Sequence, residues 1–413
     1  MFNYLYSAFN TLDGIYKNPE SAPVALSGGS AMATKLVYGV LEKDVELDFI
    51  LNSLAEKRPK PSVALLLKLG IYALRYLDNV PDYAIVNEMV ELSKKVGKAG
   101  LSGFINAVLK RAARREYKLP KLGEGLDYVV YSKPKWFVEK VISQYGERGK
   151  EILGAPAFER ECVRVNLRLT DRNTVWNILK TKNNPCEPVL DHGLICKNTQ
   201  DVAHMFQQGV VTYMSASSML AVKAMSPKNG AKILDLCAAP GGKSVYISEL
   251  CPDSTVISCD VSPKRLELLR EYRVRMGAYN VMPKLHDAAK FNPEWEGEFD
   301  FVLADCPCSC FGTFRKHPDV FLRHGEENIP KMSVLQNTIL SNAVRYLKKG
   351  GVLIYSTCTI FKEENESVTE NLLKKGEVTL EPMDIPFKND GRVQLLPEEE
   401  WDGFYIARLK KRE

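Results

Sequence analysis

Two short stretches hold the residues of this chain best suited to covalent chemistry. Asp305-Cys-Pro-Cys-Ser309 closes the apolar run Phe301-Val-Leu-Ala, and Ser356-Thr-Cys358 closes the run Val352-Leu-Ile-Tyr. Apolar runs of this length between turn signals read as buried strands. Placed side by side, two such strands bring Cys308 and Cys358 together although 50 positions (358 − 308) separate them. A cysteine thiolate is a soft nucleophile, activated by a lowered pKa or by an adjacent base. Two thiols beside the Asp305 carboxylate therefore point to a covalent step.

A second stretch, Asp235-Leu-Cys-Ala-Ala-Pro-Gly-Gly-Lys-Ser244, follows the apolar run Ile233-Leu-Asp-Leu236 and precedes a helical run from Ser244 to Leu250. A strand, a small-residue turn and a helix start offer backbone N–H groups and a positive dipole end to a ligand. Gly241 and Gly242 permit close approach because no Cβ stands in the way. Alone, the loop is compatible with a tight turn in any α/β protein. It matches neither G-x-G-x-x-G nor the phosphate-cradling G-x-x-x-x-G-K-[ST] pattern. The next strand ends at Asp260, 25 residues after Asp235 (260 − 235), close to the ~20-residue interval at which an acid grips a ribose hydroxyl. A third ends at Asp287, placed to touch an adenine amino group. Together these favour a nucleoside ligand that need not carry phosphate.

The other cysteines have plainer readings. Cys237, Cys251 and Cys259 suit small core positions. Cys306-Pro-Cys-Ser-Cys310, with His317, invites a zinc reading, but C-x-C-x-C is not the usual zinc spacing and Cys306 and Cys308 should face opposite ways. No metal is expected. A Cys308–Cys358 disulfide is conceivable in an oxidised sample.

The elements that must position these residues form an alternation. Strands are expected at 233–236, 255–260, 281–286, 301–305 and 352–358, with helices at 264–276 and 333–347 between them. Near-continuous apolar strands alternating with helices give a parallel sheet covered on both faces, an α/β Rossmann-like domain over 211–413. Phe404-Tyr-Ile-Ala-Arg-Leu409 is expected to add an antiparallel edge. Residues 121–210 read as a small α+β connecting module. There Val163-Arg-Val-Asn-Leu-Arg168 alternates as a half-buried strand, whose polar face is expected to be wet or, less simply, to touch RNA. Residues 1–120 read as an all-α bundle around a central helix, Ser62 to Leu77, apolar over most of its circumference.

Composition places the chain among ordinary soluble proteins, with 413 residues, 45% hydrophobic and 26% charged. No apolar run reaches the ~18 residues of a membrane span, and Met1-Phe-Asn-Tyr-Leu-Tyr lacks the basic start of a secretory signal. The ten cysteines form no disulfide framework, which favours a reducing cytosol and a cytoplasmic location. The net charge of +5 is uneven: residues 1–120 carry 16 basic against 12 acidic side chains, a surplus of 4. Lys98 to Lys118 holds six basic residues and one acid, which suits a phosphate backbone or equally a solvated helix face.

These motifs, with Gly312, His317-Pro-Asp319, Tyr355-Ser-Thr-Cys358 and Glu363-Glu-Asn365, resemble the S-adenosylmethionine-dependent RNA cytosine-C5 methyltransferases of the RsmB/NOP family. The likeness is greatest to the bacterial RsmB type acting on 16S ribosomal RNA. It spans nearly the whole chain, and the first domain resembles a NusB-like domain. The resemblance implies that Cys358 attacks C6 of an unpaired or flipped-out cytosine. It implies that Asp305 binds the N3 side of the ring and that Cys308 assists release once the C5 proton has left. Cys237, Ala238, Ala239, Pro240, Gly241, Gly242 and Lys243, with Asp260, Asp287 and Asp305, would hold S-adenosyl-L-methionine. The chain departs from the family where Met214-Ser215 precedes Ala216-Ser217-Ser218 and where His-Asp-Ala surrounds Asp287. Transfer RNA as substrate, an idle RNA-binding ribosome-assembly factor, and a thiol-redox or zinc protein are the competing readings. The sequence leaves the oligomeric state open, with a monomer sufficient.

Overall fold

The computed structural model describes residues 3–21, 30–157, 160–197, 200–398 and 400–413. The chain forms two compact units, one from residues 1–155 with 317–326, the other from 156–316 with 327–413. Among the described residues no helix is long and apolar enough to cross a membrane.

In the first unit, helices Asn3–Lys17, Ala31–Glu42, Asp44–Leu54, Asp82–Lys95 and Ser102–Ala113 pack with Pro61–Tyr76. The last of these is buried continuously from Val63 to Leu74, as its all-round apolar sequence requires. Pro61 opens it, where a missing N–H costs nothing. Lys68 is the charged exception within that buried stretch, and its ammonium lies 2.7 Å from Asp44 and 2.9 Å from Asp48. The basic end near residue 115 is partly turned inward. Arg111 donates to Leu54 O at 2.6 Å and Arg115 to Leu74 O at 2.7 Å, and Glu116 pairs with both Arg111 and Arg114.

The second unit holds two sheets. The smaller contains β1 (Glu161–Val165), β2 (Cys186–Val189), β3 (Gly193–Cys196) and β4 (Val211–Tyr213), antiparallel in the order β2-β3-β1-β4. Cys186 and Cys196 are direct partners across β2 and β3 and are joined as a disulfide, a pairing that their isolation in the sequence did not suggest.

The larger sheet contains β5 (Lys232–Asp235), β6 (Thr255–Asp260), β7 (Val281–Leu285), β8 (Phe299–Asp305), β9 (Leu347–Thr357), β10 (Val378–Leu380), β11 (Arg392–Leu395) and β12 (Phe404–Lys411). Its order is β10-β12-β9-β8-β5-β6-β7, with β11 also on β12. The five strands β5 to β9 run parallel, and the order reverses at β5, between β6 and β8. This doubly wound arrangement opens its crevice at the carboxyl ends of the strands around that switch point. Pro283 is accommodated because β7 is an edge, where a missing donor leaves no ladder bond unmade.

Two expectations are corrected. Strand β12 is antiparallel but not an edge. It lies between β9 and the short β10, and Phe404 to Ala407 are all buried. Strands of three and four residues such as β10 and β11 carry too little periodicity to be foreseen. Second, the polar face of Val163–Arg168 is wet only at its end, where Arg168 is exposed. Arg164 and Asn166 are fully buried. The Arg164 guanidinium is paired with Glu249 and stacked 4.6 Å from the centre of the Tyr246 ring, and Asn166 donates to Gly209 O and Met276 O. The alternation is real, but both faces are covered as far as Asn166.

Candidate active site

Strand β5 delivers the chain to the loop at Cys237. Gly241 has φ +111°, a conformation that side chains avoid, and a Cβ there would come within 3.0 Å of Leu269. Helix Gly242–Leu250 starts directly after it. The loop is tied to the neighbouring strand by Ala238 N donating to Cys259 O at 2.7 Å. Beneath it Asp235 accepts from Ser244 Oγ at 2.7 Å, and Ser244 accepts from Ser258 Oγ at 2.7 Å. Full burial pushes the Asp235 carboxyl up to about 7, partly opposed by the Ser244 hydroxyl.

A cavity of about 250 Å³ lies at these strand ends. It is lined by Cys237, Ala239, Asp260, Asp287, Asp305, Cys308 and Cys358 among the residues singled out in the sequence, together with Arg265, His286 and Cys310. Ala238, Pro240, Gly241, Gly242 and Lys243 are not among its lining residues, and they shape or buttress the loop instead. Larger cavities of about 490 and 640 Å³ lie elsewhere, around Lys348–Val352 and around Arg58–Lys68, and neither is lined by a thiol.

On the donor side, Asp260 accepts from Ser262 N at 2.9 Å and pairs with Arg265 at 3.2 Å, while Arg265 also donates to Ala239 O. Asp287 accepts from Ala289 N at 3.1 Å. On the thiol side, β8 and β9 are parallel neighbours in the register Asp305↔Ser356. Asp305 accepts from Lys243 Nζ at 2.5 Å through Oδ2 and from Ser356 Oγ at 2.6 Å through Oδ1. The Cys308 and Cys358 sulfurs are 3.2 Å apart, and Cys310 Sγ is 4.0 Å from Cys308 Sγ. Cys306 instead faces a core cluster with Leu234 and Tyr355.

Contact with Cys310 and Cys358, reinforced by burial, raises the Cys308 thiol well above its ordinary range. For Cys358 the contact with Cys308 favours the thiolate. Cys310, burial and the Asp305 charge outweigh it and hold that thiol high as well.

A polar hub that sequence reasoning did not single out by role holds the two thiol loops together. Buried Glu364 accepts from Ser309 N at 2.9 Å, Ser309 Oγ at 2.5 Å and Gln336 Nε2 at 3.1 Å. Asn365 accepts from Thr357 Oγ1 and donates to Thr359 O. Gly312 N donates to Cys358 O at 2.9 Å, and a Cβ at Gly312 would stand 2.0 Å from Gly403 O. The signal for this hub lay in adjacent acid and amide residues just after a strand, a pattern without a period.

Residues 222–410 match the family described as 16S rRNA methyltransferase RsmB/F, and residues 16–114 match the NusB family. The probable ribosomal RNA small subunit methyltransferase B of Bacillus subtilis (strain 168) is 34% identical over 405 residues, covering 92% of this chain and 90% of that protein. Ribosomal RNA small subunit methyltransferase B of Escherichia fergusonii is 31% identical over 394 residues, with the same two coverages of 92% and 90%. Among solved structures, a methyltransferase homolog protein from Pyrococcus horikoshii is 27% identical with a TM-score of 0.62, covering 71% of this chain and 100% of that one. The protein PH0851 is 26% identical with a TM-score of 0.85, covering 98% of this chain and 97% of that one. The thiol pair, the loop after β5 and the matched residues thus lie in one chain that belongs to the ribosomal RNA small subunit methyltransferase B family.

Proposed function

We propose that this protein methylates C5 of a cytosine in 16S ribosomal RNA, using S-adenosyl-L-methionine, through a covalent bond between Cys358 and C6 of the base. The observation that carries this reading is the 3.2 Å approach of Cys308 and Cys358 beside an Asp305 fixed by Lys243 and Ser356. C5 of cytosine is too electron-poor to accept a methyl cation unaided. Addition of the Cys358 thiolate to C6 places an electron pair at C5. Asp305, held at both oxygens, accepts from the N4 amino group and, when it carries a proton, donates it to N3, which offsets the negative charge that develops there. Cys308 lies where it can serve the last step, in which a base removes the C5 proton, the C5–C6 double bond re-forms and Cys358 leaves as thiolate.

The residues near the donor end fit the proposed cofactor. Asp260 and Asp287 stand at adjacent strand ends, with Leu236, Val261 and Ala288 also lining the cavity, and Arg265, its one Lys or Arg among the described residues, is already tied to Asp260 and Ala239 O. That suits ribose hydroxyls and an apolar ring edge better than a phosphate chain. When bound, S-adenosyl-L-methionine supplies the methyl group and a sulfonium charge. In this reading residues 1–120 dock RNA, 121–210 connect, and 211–413 carry the chemistry in the cytosol.

The test is methyl transfer to 16S ribosomal RNA and to transfer RNA side by side, with bisulfite mapping of the product. Cys358→Ala should abolish transfer, and Cys308→Ala should accumulate a denaturant-resistant RNA–protein adduct. Normal turnover by Cys358→Ala would sink the mechanism. Transfer confined to transfer RNA would sink the substrate, and none by the intact protein would leave an RNA-binding role.

A further inference from the structure

Catalysis of the proposed reaction calls for two thiols, and the structure presents three. Cys310 has φ +60°, in the left-handed region, where a residue bearing a Cβ is disfavoured by roughly 1–2 kcal/mol. The turn is held by Thr313, whose N and Oγ1 both donate to Cys310 O, at 3.0 and 2.9 Å. In an extended chain Cys308 and Cys310 would also share a side, but too far apart to touch. Folded back, Cys310 Sγ lies 4.0 Å from Cys308 Sγ, and the sulfurs of Cys308, Cys310 and Cys358 all fall within 4.8 Å of one another.

Those separations define a site. With edges of 3.2 and 4.0 Å and a third of at most 4.8 Å, the point in their plane equidistant from the three sulfurs lies about 2.0–2.4 Å from each, against a Zn–S bond of about 2.3 Å. The triad opens onto the 250 Å³ cavity, so a hydrated ion can reach it and keep a solvent ligand in the fourth position. Its supports are rigid: Ser309 is bonded to Glu364, and Cys358 O accepts from Gly312 N. Soft thiolate ligands at these distances select zinc(II) and its thiophilic relatives.

We propose that Cys308, Cys310 and Cys358 bind one thiophilic cation, with zinc(II) as the reference ion, and that occupancy blocks the nucleophile reversibly. Three thiols each lose a proton and form one metal–sulfur bond, with no change of oxidation state. The Cys358 lone pair is then engaged by the metal. The blocking consequence rests on Cys358 being the nucleophile, whereas the binding site does not.

The experiment titrates the full-length reduced protein with cadmium(II), following thiolate-to-metal charge-transfer absorbance. Zinc(II) affinity is measured in parallel by chelator competition, and methyl transfer at buffered free zinc. The wild type should bind one ion with a three-thiolate band and lose activity as it fills. Cys310→Ala should bind zinc at least about a hundredfold more weakly, the upper end of what is lost on removing even an outer-shell partner, and its own metal-free methyl transfer, whatever its rate, should no longer fall at the free zinc that silences the wild type. Cys310→Gly, which relaxes the left-handed backbone, should do the same and guards against a folding defect in the alanine variant. Equal zinc affinity or equal inhibition in these variants overturns the proposal, as does a wild-type band of fewer than three thiolates. Absence of methyl transfer in metal-free wild type would refute the proposed function while the cadmium band still reported on the site.

Discussion

Removing Glu249 while leaving Arg164 should be among the most damaging single changes in the second unit. Both side chains are completely buried. Glu249 accepts two bonds from the guanidinium, one of them at 3.0 Å, and a third from Leu167 N at 3.1 Å. Glu249→Leu leaves a cation in the interior with Val165 O, the Tyr246 ring and the Tyr272 hydroxyl against it but no carboxylate. Breaking such a pair costs about 3–5 kcal/mol, whereas replacing both members by apolar groups is often neutral or stabilising. At 1.4 kcal/mol per factor of ten, the opening equilibrium should shift by roughly two to three and a half decades. Hydrogen exchange reads this directly at Val163–Arg168 and at Gly242–Leu250, the helix that carries Glu249 near its end. Arg164→Met with Glu249→Leu should regain most of the protection. A single variant that loses less than about tenfold in protection, or a double variant no better than the single, would refute the account of this seam.

Three further outcomes follow from the site. The Asp235 carboxyl is raised by burial to about 7 from an ordinary 3.8, so its contribution to stability is fully present below pH 3.8 and is lost as the pH rises through about 7. Asp235→Asn should flatten the stability profile in that window in thermal melts from pH 4 to 8, and an unchanged slope would rule the assignment out. Because the Cys358 thiol is held high, its alkylation by iodoacetamide, read on the Cys358 peptide by mass spectrometry, should still be climbing above the ordinary thiol value of about 8.5. A plateau reached below pH 8 would contradict this. Glu364→Gln places an amide where Ser309 N and Oγ now donate, an unsatisfied arrangement worth about 1–3 kcal/mol. It should slow turnover while cofactor affinity, measured by calorimetry, stays within experimental error, and an equal loss in both would show a general folding defect.

The parallel sheet and its reactive ends were legible because buried strands carry continuous apolar runs and their motifs fall where those runs stop. Asp305 and Cys358 needed only neighbouring strands to meet, and β8 and β9 are neighbours. The Arg164–Glu249 pair was not legible. Its partners lie 85 positions apart, and an arginine alternating with valines is the same pattern whether its face meets water or a helix. Cys310 was hidden for a related reason. Spacing alone gives no sign of a left-handed turn at a residue other than glycine, and it is that turn which brings the third sulfur to the other two.

The site's two halves have separate origins in the sheet, and one side chain joins them. Asp260 and Asp287 come from β6 and β7 on one side of the switch point, Asp305 and Cys358 from β8 and β9 on the other. Lys243 belongs to the loop after β5 yet ends 2.5 Å from Asp305, whose second oxygen takes the Ser356 hydroxyl two residues before Cys358. The loop after β5 and the strand that ends at Cys358 are thus joined through Lys243 and Asp305. Cys310, burial and the Asp305 charge hold the Cys358 thiol above its ordinary range, so in the proposed reaction the thiolate has to be favoured by the positive charge that enters the cavity.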